Sequence, residues 1–276
     1  MTMHSDPERT RLRIAELDRY MSAHVLGDGG FRCSKEAACR ASALRRQGTS
    51  FWRGQLSHVG HHYDIVENGR PWRVLVLGME TGREREHVTL AERRSEQQPV
   101  IDGDPRSRKP HMKGTASALR LAFGREPGSD RRGEMLDLAN TPRPVHVMDA
   151  YALVNVRLCS AVATGTTASR GTAVMTANCL PHLAVTVRIL EPTLCVLQSR
   201  PARAGIDPIV TRARTLAPNL EHVHLAGAPV YLASFGHPHQ MGPHSSLNWG
   251  RSFSTPYLDG VVAPTIRAAR DLYQGA

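Results

Sequence analysis

Apolar positions follow two rhythms along this chain. Short unbroken apolar runs, bounded by Pro, Gly or charged residues, suit strands buried on both faces of a sheet; apolar residues spaced by three and four suit helices. Four runs of the first kind stand out: Arg73-Val-Leu-Val-Leu-Gly78, the stretch 145–155, Pro192-Thr-Leu-Cys-Val-Leu197 and Pro229-Val-Tyr-Leu-Ala-Ser-Phe235. A helix is predicted after Ser5-Asp-Pro-Glu8, a capping-box pattern with proline in the first turn. It sets Leu12, Ile14, Leu17, Tyr20 and Met21 mostly along one face, and Gly27-Asp-Gly-Gly30 ends it. Further helices are predicted at 111–123, around 177–190, at 203–216 and about 257–273. Residues 31–50 read as a loop with a short helix, 83–110 as a long surface insertion and 124–134 as a charged loop.

Strands alternating with helices predict one α/β domain over residues 1–276, a three-layer α/β/α sandwich around a central four-stranded parallel sheet. In such sheets active-site residues sit just beyond the carboxyl ends of strands. Asn155 occupies such an end, and Cys159 follows four residues later.

Composition narrows the partners. The chain has 276 residues, ordinary apolar content of 41% and a formal charge of +10, which favours a polyanion, most simply nucleic acid. No apolar leader or membrane-length run is visible, so a cytoplasmic protein with no membrane partner is expected. Five cysteines, an odd number, argue against a disulfide framework and leave metal ligation or plain burial. Cys195, inside an apolar run, reads as a buried small hydrophobe.

Four signals then fall in order: Gly78-Met-Glu-Thr-Gly82, Asn155 through Cys159, Cys179 opening a helix, and His237-Pro238 after the fourth strand. Together they resemble the uracil-DNA glycosylase superfamily, in particular its iron–sulfur branch, across roughly residues 30–270. There the first motif looks like G-E-x-P-G, the second like N-x-x-x-C and the last like H-P-S. The present chain has Met79 at the glutamate position with Glu80 beside it, and His239 where the serine stands. Pro110-His-Met-Lys-Gly114 is the best match to the family's P-F-V-G, so His111 stands for the base-stacking phenylalanine.

The resemblance implies a monofunctional DNA N-glycosylase, acting as a monomer, that everts a uracil or modified pyrimidine and hydrolyses its N-glycosidic bond. It assigns catalysis to Glu80 and His237, and base binding to Met79, His111 and Asn155. Glu80 would stabilise the sugar cation or orient water, and a neutral His237 would hydrogen-bond the departing base. Asn155 offers a donor and an acceptor to a pyrimidine edge, with a backbone donor near Met79. DNA contacts fall to Arg83, Lys113, His239 and Arg251, with Arg85 and Lys109 as further phosphate partners, and Met241 or Leu247 as the minor-groove wedge. A 4Fe-4S cluster would be held by Cys33, Cys39, Cys159 and Cys179, stapling the N-terminal segment 1–50 to the sheet. His111 in place of phenylalanine, with the 83–110 segment, leaves room for a 5-substituted base such as the hypermodified cytosine of phage DNA. A non-catalytic iron–sulfur nucleic-acid-binding protein is the second class. The third is a zinc hydrolase on the histidine-rich loops 58–62 and 237–244.

Overall fold

The four apolar runs pair side by side, and three strands that the pattern does not announce extend them. The computed structural model describes residues 2–82, 85–166, 168–239 and 246–275. Its main sheet contains β1 (His58–Val59), β2 (Val74–Gly78), β3 (Tyr151–Asn155), β4 (Leu194–Leu197), β5 (Val210–Ala217), β6 (Leu220–Leu225) and β7 (Ala228–Ser234). The order across the sheet is β5-β6-β7-β4-β2-β3-β1. The pairs β7·β4, β4·β2 and β2·β3 are parallel, while β1, β5 and β6 join antiparallel. The protein is therefore a mixed α/β fold on a seven-stranded mixed sheet, wider than the four parallel strands expected.

The extra strands correct the helix expected over 203–216. Only α7 (Arg200–Ile206) and a 3-10 turn (Asp207–Ile209) are helical there. Pro208 cannot donate to a continuing helix, and the chain turns into β5. β5 is an edge strand, exposed over most of its length, so it carries no apolar run. Two-residue turns join the hairpins. Asn219 has φ 65°, and Ala226 and Gly227 have φ 50° and 92°, the left-handed pair that tight hairpins need.

The remaining helices are α1 (Pro7–His24), α2 (Glu36–Leu44), α3 (Leu90–Ser95), α4 (Gln98–Asp102), α5 (Pro110–Ala122), α6 (Ala173–Leu190) and α8 (Ala263–Gly275). The N-cap of α1 is Asp6, which accepts from Arg9 N at 2.9 Å; Ser5 belongs to a short strand instead. Along each parallel strand successive residues feed two cores, as period two requires. Leu75 and Leu77 pack with Leu17 of α1, Leu183 and Val187 of α6, and Ile206 of α7. Val74 and Val76 pack with Leu119 of α5 and Ile266 of α8. The apolar helix α6 has the length and hydropathy to cross a membrane, but Leu183, Val187 and Leu190 are buried against the sheet.

Residues 85–110, expected as part of a long surface insertion, are folded into regular elements. They contain α3, α4 and a short 3-10 turn, and Thr89 and Glu92 close a capping box on α3 that the charge-rich sequence concealed. Buried Arg108 then ties the end of this segment to buried Glu134 at 2.8 Å, and His146 meets the same carboxylate at 2.9 Å. The segment 31–50 holds α2 and the strand Thr49–Trp52, paired with Ser160–Ala163. Cys39 and Cys159 thereby enter one small core with Phe51, Ala161 and Met175.

Candidate functional site

Parallel strands bring their carboxyl ends to one edge of the sheet, and Asn155, Gly78 and the residues after β7 lie along it. Asn155 lies opposite Gly78 in the register of β3 and β2. A side chain at position 78 would push the Asn155 amide aside, because a Cβ would sit 2.7 Å from Asn155 Oδ1. The Asn155 amide donates to Thr81 Oγ1 at 3.0 Å. Strand alternation turns Asn155 toward the α5 face. Met79 goes the other way, packing in the α6–α7 core within reach of Gly205. Any contact from Met79 to a base at Asn155 must therefore come from its backbone. Beyond β4, the fully buried Gln198 donates to Thr115 Oγ1 of α5 at 3.1 Å, locking that helix to the strand ends. Sequence reading passed over Gln198, whose only signal is a polar residue directly after an apolar run.

His111 and His237, far apart in sequence, meet here. Their rings stack with centroids 5.4 Å apart and planes 11° from parallel. Two glycines permit the approach: a Cβ on Gly114 would stand 2.5 Å from Pro238 Cβ, and one on Gly250 would overlap Pro110 O. Trp249 anchors the loop by donating from Nε1 to Gly236 O at 2.8 Å. His239 N donates to His237 Nδ1 at 3.0 Å, so a neutral His237 carries its proton on Nε2. Burial lowers the His237 pKa. It takes His111 down to about 4, with the charges of His237 and His239 acting the same way. Both rings are thus neutral at pH 7, and the enclosed His111 Nδ1 has no hydrogen-bond partner.

Glu80 points inward. Its side chain is 3% exposed; Oε2 lies 3.6 Å from Arg157 Nη1 and accepts from Ala161 N at 3.4 Å, while Oε1 has no partner. Burial raises its pKa, opposed by the Arg157 charge, the Ser169 hydroxyl and the Ala161 amide. Arg157 is itself buried, and its guanidinium occupies the space a side chain on Gly171 would need. The backbone sets this pair: Arg157 N donates to Met79 O at 2.9 Å, extending the β2·β3 ladder past the strand ends. Arg157 was not singled out from sequence, although Asn155-x-Arg157-x-Cys159 places it between two residues that were.

Of the four nominated cysteines, Cys39, Cys159 and Cys179 are buried and Cys33 is half-buried. Burial pushes the Cys179 thiol up to about 12 and raises Cys159 and Cys39, and the neighbouring nominated thiols add to each shift. Cys195, raised to about 12 by burial alone, stands apart inside β4. Three sulfurs accept N–H donors: Cys159 from Gly54 N, Cys179 from Leu158 N, and Cys39 from Asn178 Nδ2 at 3.2 Å. Such donors stabilise thiolate ligands. No three His, Cys, Asp or Glu side chains among the described residues have single-ion geometry. A tetrahedral zinc, at about 2.3 Å from each sulfur, requires tightly converging thiolates, whereas a polynuclear cluster accepts a wider set.

The DNA-contact candidates divide. Lys113 lies over the Phe253 ring at 5.8 Å, Arg251 and His239 are exposed, and Leu247 is half-buried, all in α5 or the loop after β7. Arg85 pairs with Glu96 at 2.7 Å, and Lys109 is exposed at the N-cap of α5. Arg83 and Met241 lie outside the described residues. Of the second histidine-rich loop, residues 240–244 lie outside the described residues, and its described part, His237 and His239, is not brought to the first loop. His61 and His62 sit near the amino end of β3, bonded to Asp149 at 3.1 Å and Ser5 at 2.9 Å, whereas His237 follows the carboxyl end of β7. Comparison with protein-family models and with curated proteins returns no match.

Proposed function

We propose that this chain is a DNA N-glycosylase of the uracil-DNA glycosylase type, in which the four parallel strands form the centre of a three-layer α/β/α sandwich. The observation that supports it most is the register of Asn155 against Gly78, with the His111–His237 pair at the same edge of the sheet. In this reading Asn155 reads the pyrimidine edge, once its amide leaves Thr81. His237 donates Nε2–H to the base oxygen as the bond breaks, which a neutral ring does without proton release. Glu80 uses its unpartnered oxygen to orient water or to face the sugar cation. His111 supplies the stacking face, with Met79 contributing through its backbone. Lys113, His239, Leu247 and Arg251 meet the DNA backbone and groove.

Cys33, Cys39, Cys159 and Cys179 would hold a 4Fe-4S cluster, and the three N–H donors to sulfur fit that group. When bound, it would join α2 and α6 to the segment just after Asn155. The substrate is uracil or a 5-substituted pyrimidine, hypermodified cytosine of phage DNA included. The test is base release from duplexes and single strands carrying uracil or modified cytosine, read as strand scission at abasic sites after alkali. Release from one of these substrates supports the reading; intact strands throughout remove it. A second reading, a non-catalytic DNA-binding protein of this fold, is favoured by the inward turn of Glu80 toward Arg157. It requires DNA binding without scission, unchanged in Glu80→Gln.

A further inference from the structure

Three of the four nominated sulfurs receive a donor from backbone or from Asn178, which leaves Cys33. Cys33 is also the least buried of them, on the loop before α2. Two observations converge on it. His182 lies on α6 one turn beyond Cys179, so the two residues share one side of that helix. Its Nε2 stands 3.9 Å from Cys33 Sγ, at the long end for a bond to sulfur. Its Nδ1 meets Tyr20 Oη of α1 at 2.9 Å, and the two rings lie 5.9 Å apart. In the tautomer where the tyrosine hydroxyl donates to Nδ1, the imidazole proton lies on Nε2, beside the sulfur.

We propose that His182 is the positioning residue for Cys33: oriented by Tyr20, it donates Nε2–H to the Cys33 sulfur and holds that thiolate in the iron–sulfur site. This rests on the cluster reading above and adds to it a specific weak point, the most accessible ligand, with its own guard. An N–H donor to thiolate sulfur withdraws charge, slows protonation of the ligand and raises the potential of the cluster. The relay Tyr20–His182–Cys33 also couples α1, which contributes no ligand, to the site.

The test uses the full chain, purified without oxygen, as wild type, His182→Ala, His182→Gln and Tyr20→Phe. Iron and sulfide are counted, loss of visible absorbance to a chelator is timed, and the EPR spectrum of the reduced protein is recorded. The expected result is chelator loss about 10-fold faster or more in His182→Ala, partial rescue by the amide of His182→Gln, and a smaller acceleration in Tyr20→Phe. The EPR g values shift in His182→Ala, which a purely structural role would leave in place. Wild type with iron but unchanged loss rates and spectra in all three variants overturns the proposal while leaving the cluster standing. Wild type without iron removes the cluster itself. If His182→Ala fails to fold, Tyr20→Phe, which loses a single hydroxyl, decides alone: a rate equal to wild type overturns the proposal.

Discussion

Two buried carboxylates, Asp64 at the amino edge of the sheet and Glu80 at the carboxyl edge, are treated differently by the fold. Asp64 is saturated. Both its oxygens accept from Arg13 Nε at 3.0 and 3.1 Å, Thr10 Oγ1 adds a bond at 3.2 Å, and Arg73 stands 3.8 Å away. Those bonds tie α1 to the chain entering β2 and hold nothing in reserve. Glu80 faces a more distant arginine, and its Oε1 is the one buried carboxylate oxygen without a partner among the described residues. A buried polar atom left open in a folded protein calls for an explanation, and strand-end position makes a reacting ligand the natural one. The contrast separates charge that stabilises from charge kept available.

Substitution should break the two apart, and with opposite signs. Asp64→Asn leaves buried Arg13 and Arg73 underpaired and should cost about 3–5 kcal/mol in denaturant unfolding. Base release per folded molecule should stay near wild type. Glu80→Gln should lower base release about 100-fold or more. Because burial raises the folded pKa of Glu80 above its ordinary 4.5, the ionised form works against folding once the pH exceeds 4.5. The amide should therefore be at least as stable as wild type at pH 7. A Glu80→Gln protein that unfolds as readily as Asp64→Asn would place Glu80 with the structural charges.

Glu134 gives a second member of the saturated class and a pH test of it. Burial opposes its ionisation, yet hydrogen bonds from His146 and Arg108 outweigh that and bring the carboxyl to about 2. Its folded pKa lies below the ordinary 4.5, so its contribution is complete above 4.5 and is lost as pH falls from there toward 2. The amount is on the order of 3 kcal/mol. Glu134→Gln should be less stable than wild type at pH 7, and the gap should close as the pH approaches 2. Thermal melts across that range provide the measurement. A constant gap would mean the acid is not the group being lost.

The same contrast explains what the sequence disclosed. Buried parallel strands advertise themselves, because both faces must be apolar, and β2, β3, β4 and β7 were all legible. β5 was not, since an exposed edge strand carrying Arg212 and Arg214 has no such signature. At the site, Asn155 and His237 stood out because each ends or follows an apolar run, whereas the four cysteines were nominated by the family resemblance. The His111–His237 stack depends on Gly114 and Gly250, whose role is visible only once two distant segments touch. Arg157 and Gln198 were hidden for the same reason: their partners, Glu80 and Thr115, lie on other elements.

Arg157 offers the finest test, because it lies between the two classes. It follows Asn155 by two residues and precedes Cys159 by two, so one short segment carries the partner of Glu80 between the proposed base contact and a proposed cluster ligand. Its charge lowers the Glu80 pKa against the larger effect of burial. The acid limb of base release should therefore lie above pH 4.5, and Arg157→Lys should move it further up. Lysine keeps the charge but loses the planar fork, so the displacement should be small, roughly half a pH unit. Arg157→Gln, which removes the charge, should move the limb further than lysine does. Iron content measured on the same samples distinguishes this from damage to the cysteines. Unchanged iron with a displaced limb assigns Arg157 to Glu80; lost iron with a fixed limb assigns it to the cysteine segment instead.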